Sequence, residues 1–250
     1  MLHQFSRTEL AIGAEGLEAL KNSTVAVLGI GGVGAIAVEA LARTGVGRII
    51  LIDKDVVDIT NLNRQIHALT TTIGQKKADL MCERVKLINP ECETIALNMF
   101  YTEETYEQLF QYDIDYVLDA SDTIMYKIHL IKECLNRKIP LLSSMGAANK
   151  MDPTRFQVAD ISKTSVDPMA RVIRTKLRKD GIKKGVKVVF STEEPVKPRE
   201  DVTKKIAPEG AKIRKAKQPP ASNSYVPPVV GLIMVSVAVR ELLENNGIKI

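Results

Sequence analysis

The stretch Val25-Ala26-Val27-Leu28-Gly29-Ile30-Gly31-Gly32-Val33-Gly34 decides how the rest of the chain is read. Its first half is short, apolar and β-branched, the pattern of a strand buried on both faces. Gly29, Gly31 and Gly34 then make a G-x-G-x-x-G turn into a helical run ending near Arg43. Such glycines allow a tight turn and let the backbone approach a phosphate. The helix N-terminus offers it free N–H groups and a partial positive charge. Arg48-Ile49-Ile50-Leu51-Ile52-Asp53 follows as a second strand, with a carboxylate at the end where a ribose hydroxyl needs an acceptor. The competing reading is that the glycines serve only close packing of helix on strand, so the remaining chain has to decide.

Outward from this unit, helices and strands alternate on short connections. Residues 7–22 read as one amphipathic helix leading in, and a helix opens at Gly74-Gln75-Lys76-Lys77 and stops at Asn89-Pro90. Strands are expected at 94–98, 116–120 and 140–144, with a short helix at 102–110 and a longer one at 124–137. The pattern implies an α/β fold with a doubly wound, mostly parallel, Rossmann-like sheet, whose ligand sits beyond the strands' carboxyl ends. Gly29, Asp53 and Asp119-Ala120-Ser121-Asp122 all fall at such ends. The pattern changes past Met151: a strand at 156–158, a basic helix at 167–179, a strand at 186–191, a long loop over 193–225 and a closing helix at 228–244. The chain thus divides into a nucleotide-binding domain over 1–150 and a basic substrate-binding extension over 151–250, packed on the same core.

Composition narrows the class. A chain of 250 residues, 45% hydrophobic, can bury a substantial core. Met1-Leu2-His3-Gln4-Phe5-Ser6-Arg7 lacks the apolar run of a signal peptide. The longest apolar stretch, 226–239, holds two prolines and a serine and falls short of a bilayer span of about 20 residues. It reads as a core or interface helix, with no membrane association. Cys82, Cys92 and Cys134 are odd in number and show no C-x-x-C spacing, which fits a reducing cytoplasm and argues against a structural zinc site. Net charge is +5, yet residues 171–217 carry sixteen Lys/Arg against six Asp/Glu, a local +10 that leaves −5 elsewhere. That asymmetry suits a polyanionic partner.

An NAD-linked enzyme would follow Asp53 with an amphipathic crossover helix. Here a polar loop carries Asp55, Asn61, Asn63, Arg64 and Gln65, with Lys77 at a helix start. A triphosphate demands more cationic compensation than a dinucleotide, and Arg64 and Lys77 suit departing pyrophosphate. Asp122, past a strand end, suits Mg²⁺, which takes one or two carboxylates plus phosphate oxygens. Met singly, each has a plain alternative: Lys77 a solvated helix lysine, Asp122 an N-cap, Arg64 a surface ion pair. His67 and His129 read as structural.

Taken in order, Gly29-x-Gly31-x-x-Gly34, Asp53-x-Asp55, Asn61-x-Asn63-Arg64-Gln65, Gly74-Gln75-x-Lys77 and Asp119-x-x-Asp122 resemble the ubiquitin-activating-enzyme-like adenylating superfamily over about residues 5–150. The resemblance implies ATP-dependent adenylation of a carboxylate. It places Gly31 and Asp53 at the adenosine, Asn61, Arg64 and Lys77 at the phosphates, and Asp122 at the metal. Arg7 resembles an N-terminal arginine that reaches a partner subunit's ATP, which implies a homodimer.

Further stretches are similar to the branch of tRNA threonylcarbamoyladenosine dehydratases: Asn63 to Leu69, Ile88-Asn89-Pro90-Glu91-Cys92, Lys138-Ile139-Pro140-Leu141, Asp152-Pro153-Thr154, Lys163-Thr164-x-x-Asp167-Pro168 and Phe190-Ser191-Thr192-Glu193. That branch activates the threonyl carboxylate on modified adenosine 37 in the anticodon loop of tRNA, and ring closure gives a cyclic product. Some members carry a cysteine before Ala-Ser near the closing helix, where this chain has Pro219-Pro220-Ala221-Ser222. The rival within the superfamily is an activator of a ubiquitin-like sulfur-carrier protein. Such activators usually hold paired C-x-x-C ligands and often a later nucleophilic cysteine, and no cysteine follows Cys134 here. A rival from another class is an NAD(P) oxidoreductase, for which Arg64 and Lys77 would be incidental.

Overall fold

The computed structural model describes residues 2–206 and 220–249. Within them β1 (Thr24–Leu28), β2 (Arg48–Ile52), β3 (Glu93–Leu97), β4 (Tyr116–Asp119), β5 (Leu141–Ser144), β6 (Phe156–Asp160) and β7 (Lys187–Ser191) form one sheet. Its order is β3-β2-β1-β4-β5-β7-β6, and every neighbouring pair is parallel except β6 with β7. The helices are α1 (Ser6–Lys21), α2 (Gly34–Thr44), α3 (Lys77–Ile88), α4 (Glu107–Phe110), α5 (Ile124–Arg137), α6 (Pro168–Lys179), α7 (Glu200–Ile206) and α8 (Val226–Asn245). This is the doubly wound α/β architecture the alternation implied, and the basic extension supplies β6 and β7 to the same sheet.

Register sets the level of the strand ends. Leu28 pairs with both Ile52 and Asp119, and Asp119 pairs with Ser143. Gly29, Asp53, Ala120 and Ser144 therefore emerge together along one edge of the sheet. All five residues of β1 are buried, as a central strand between helical layers requires.

Helix α8 covers the sheet beside α2. A Cβ on Gly231 would lie 2.4 Å from the Val33 carbonyl oxygen, so α8 lays its bare backbone on the N-terminus of α2. Its buried positions Val226, Val230, Met234, Ala238 and Leu242 recur every fourth residue. The helix expected at 228–244 is present and begins two residues earlier, with Pro227 and Pro228 in its first turn, where no N–H is needed. At 20 residues it is long and apolar enough to cross a bilayer, and it packs instead as a core helix.

Three other expectations change. Gly13 (φ +73°) breaks α1, so residues 7–22 are two short helices meeting at a kink. The helix expected at 102–110 is regular only over Glu107–Phe110. The loop expected at 193–225 contains α7, and its portion 207–219 lies outside the described residues.

A polar lock fastens β4 to β5 beneath the strand ends. Lys127 of α5 and Asp119 are both 0% exposed, with Nζ 2.9 Å from Oδ2. Ser143 donates its hydroxyl to the same Oδ2 (2.6 Å), and the Ser121 hydroxyl and N–H both reach Oδ1 (2.7 and 3.1 Å). Burial pushes the Lys127 ammonium below its ordinary range, and Asp119 opposes that. Lys127→Met leaves Asp119 buried without its cation, and urea unfolding should report a loss of about 3–5 kcal/mol. The double variant with Asp119→Asn should recover part of that loss, as coupled neighbours do.

Candidate functional site

The strand ends open into a cleft of about 420 Å³. Two of the three motif glycines serve the fold around it. Gly29 has φ +86°, and a Cβ there would lie 2.8 Å from the Ala120 carbonyl oxygen; one on Gly34 would lie 1.9 Å from the Gly29 carbonyl oxygen. Gly34 does not line the cleft. Its nucleotide-binding assignment gives way to the packing one, because α2 starts in contact with the turn below it. Gly31 differs: a Cβ there would meet nothing nearer than Gln65 Nε2 at 3.9 Å. No described residue needs Gly31 to be glycine, so the open space is room for a ligand.

Asp53 fixes this turn. Its Oδ2 accepts the Ile30 N–H (2.7 Å) and its Oδ1 the Asp55 N–H (2.8 Å), and it lines the cleft with acceptor capacity left over. Beyond it, Asp58 caps a 3-10 turn at Ile59–Asn61 and donates its N–H to Asn61 Oδ1. That turn brings Asn61, Arg64 and Gln65 to the cleft together. The Arg64 guanidinium donates to the Thr60 carbonyl (2.9 Å) and Asn63 Oδ1 (2.8 Å), and among the described residues no carboxylate pairs with it. Burial pushes its ionisation below the ordinary arginine range. Gln65 is buried with Oε1 unpartnered.

Lys77, buried at the start of α3, places Nζ 3.4 Å from Asp55 Oδ2. Burial raises the Asp55 carboxyl, but Lys54 and Lys77 beside it bring the net position below the usual range. Asp122, past the end of β4, is exposed on the cleft rim and accepts only a 3.3 Å bond from the Thr123 hydroxyl. No group of three or more His, Cys, Asp or Glu side chains gathers among the described residues. The donor set therefore fits a hard cation shared between Asp122 and phosphate oxygens, and no all-protein cage. Arg7 is exposed on α1 and does not line this chain's cleft.

Several lining residues carried little signal in the sequence. Lys54 lies 4.3 Å over the Phe100 ring, and Met99, Phe100 and Tyr101 wall the β3 side. The opposite wall is residues 144–148 after β5, Met169, Pro220 and Ser222. Asn63 Nδ2 donates to the Ser222 carbonyl (3.1 Å), and Asn149 and Ala221 exchange two bonds, which seats the segment before α8 across the opening. His67 is buried with Nε2 on the Ile30 carbonyl (2.8 Å), and His129 packs on Tyr101 and Tyr106; neither lines the cleft. None of the three cysteines does either, and burial pushes the Cys92 thiol up to about 12. The contrast between glycines is testable. Gly31→Ala should unfold at the wild-type temperature and weaken ATP binding in titration calorimetry, while Gly34→Ala should lose about 1–3 kcal/mol or more of stability from overpacking.

Comparison with known proteins agrees with this fold. The chain is 71% identical to the Bacillus subtilis tRNA threonylcarbamoyladenosine dehydratase over 249 residues, covering 100% of this chain and 98% of that one. The Escherichia coli enzyme of that name is 40% identical over 96% of this chain and 93% of its own. Its crystal structure in complex with ATP superposes with a TM-score of 0.87, at 37% identity over 98% of this chain and 95% of that one. The E. coli molybdopterin-synthase adenylyltransferase is 36% identical but covers 55% of this chain and 54% of its own. The family profile spans residues 5–249, and the chain belongs to the ThiF family.

Proposed function

We propose that this chain is an ATP-dependent dehydratase that cyclises N6-threonylcarbamoyladenosine at position 37 of tRNA by way of an acyl adenylate. The observation that carries the reading is the cleft's chemistry: Arg64 and Asp122, neither with an ion partner among the described residues, and a buried Lys77 converge on an open glycine turn that no cysteine lines. The near full-length similarity to two enzymes of that name supports it.

The threonyl carboxylate attacks the α-phosphorus of ATP and pyrophosphate leaves. Gly31 and Asp53 hold the adenosine end, and Asn61, Arg64, Gln65 and Lys77 hold the phosphates. Arg64 and Lys77 take up the charge that grows on the departing oxygens. Asp55 keeps Lys77 aimed at them through its 3.4 Å contact. Asp122 would hold Mg²⁺, which would supply charge neutralisation to the phosphates. The activated carbonyl and the ureido group that attacks it belong to one small side chain. Effective molarities of about 10⁵–10⁸ M make a covalent thioester step unnecessary. A cysteine-based carrier-protein activator fits less well, since every cysteine is away from the cleft.

The basic residues Arg171, Lys176, Arg178 and Lys179 of α6 lie beyond Met169 of the cleft wall and suit tRNA phosphates, giving salt-sensitive binding. Residues 207–217 of the basic region lie outside the described residues. Arg7 and the exposed Leu10 share a face of α1. They fit a cytoplasmic homodimer in which each protomer lends Arg7 to the other's ATP. Mass analysis of tRNA nucleosides after incubation with ATP should show the threonylcarbamoyl nucleoside lighter by one water, with AMP released only when modified tRNA is present. Arg64→Ala and Lys77→Ala should each slow that by about 10²–10³-fold. AMP release driven by a Gly-Gly-ending carrier protein and unaffected by tRNA would contradict the proposal.

A further inference from the structure

Asp167 is a residue that neither the nucleotide nor the fold accounts for. It precedes α6, and its Oδ1 accepts the Ala170 N–H at 2.9 Å as an N-cap. The residue is 1% exposed, and its Oδ2 has no hydrogen-bond partner. A cap needs one oxygen, which serine or asparagine supplies equally well. The second oxygen therefore sits buried with its desolvation cost unrecovered. The backbone beside it is strained, since Val166, a β-branched residue, has φ +60°.

The unpartnered oxygen faces the cleft wall. Oδ2 lies 3.4 Å from the point a Cβ on Gly146 would occupy, and Gly146 lines the cleft. Met169, two residues after Asp167, lines it as well. This wall follows β5, two strands along from β1 in the sheet order. The glycine turn and Asp53 hold the nucleotide at β1 and β2, so the acid to be activated enters from the β5 side. Burial raises the Asp167 carboxyl above the usual range; the Ala170 N–H opposes this first, then Lys150, itself 2% exposed, and the nearby Met169 and Gly146 N–H groups. Lys150 donates to the Glu193 carbonyl and is fixed in place behind the wall.

We infer that Asp167 Oδ2 receives the ureido N–H of the bound threonylcarbamoyl group across Gly146 and takes its proton as the ring closes. This rests on the acyl-adenylate reading above. A bond forms from the ureido group to the activated threonyl carbonyl carbon. The acyl–phosphate C–O bond breaks, and its electron pair leaves on AMP. The N–H proton passes to Asp167, which returns it to water when the product departs. Gly146 carries no side chain because one would stand between the two partners.

Asp167→Asn keeps the capping oxygen and the volume but turns the unpartnered acceptor into a donor. With tRNA bearing threonylcarbamoyladenosine, D167N should keep the wild-type unfolding temperature and tRNA-dependent ATP–pyrophosphate exchange. Cyclised product per AMP released should fall about 10²-fold or more, the adenylate being lost to water. Gly146→Ala, whose Cβ would rest at ordinary contact distance, should uncouple the two in the same way and carries the test should D167N not fold. Wild-type coupling in either folded variant overturns the inference, and so does D167N losing exchange and product together. Wild-type protein that forms no cyclic nucleoside overturns the underlying reading and this inference with it.

Discussion

Asp53 ties the end of β2 to the turn that follows β1, accepting the Ile30 N–H at 2.7 Å and the Asp55 N–H at 2.8 Å. The rest of the site is built on that clasp. Parallel register has already brought Gly29, Asp53 and Ala120 to one level. The clasp then holds the glycine turn beside the cleft, which Gly29, Gly31 and Gly32 line. Close approach does the remainder, since Gly34 starts its helix where any side chain would strike the Gly29 carbonyl. A turn held from both sides meets a ligand without reorganising, which is the condition for strong electrostatic binding.

Charge in this molecule divides by whether the protein neutralises it. Lys127 and Asp119 face each other in full burial, with two serine hydroxyls completing the carboxylate. That set is closed, and its work is to hold β4 and β5 in place. Among the described residues Arg64 and Asp122 have no ion partner, and Lys77 shares Asp55 with Lys54. Those groups are open to compensation from outside the chain, and the proposed triphosphate with its cation would supply both signs. The same reasoning marks Asp167, whose second oxygen is as buried as the lock beneath β4 yet unanswered.

The β1–α2–β2 unit was legible because β-branched runs and glycine spacing are local signals, and the α5 boundaries were read directly from its apolar spacing. Gly29, Gly31, Asp53, Asp55, Asn61, Arg64, Gln65, Lys77 and Asp122 were singled out from their order in the chain, and all line one cleft. What the residue order could not convey was distance. Gly31 and Gly34 look alike in a motif, but one borders open space and the other touches a carbonyl. Lys127 reads as an ordinary helix lysine until its position among Ile124, Ile128 and Ile131 is seen to point inward. Residues 144–148 and 220–222 are irregular and come together only through the sheet order and the path into α8. The break at Gly13 and the short α7 were missed because helical periodicity hides a single left-handed residue and is weak over seven.

The central claim is that a carboxylate is turned into an acyl adenylate in this cleft and that ring closure on its carbonyl expels AMP. Isotope transfer tests it most directly. Modified tRNA carrying ¹⁸O in the threonyl carboxylate is incubated with ATP, and the released AMP is analysed by mass spectrometry. The account predicts one ¹⁸O in the AMP phosphate for each cyclic nucleoside formed; AMP free of label beside cyclised tRNA would contradict it.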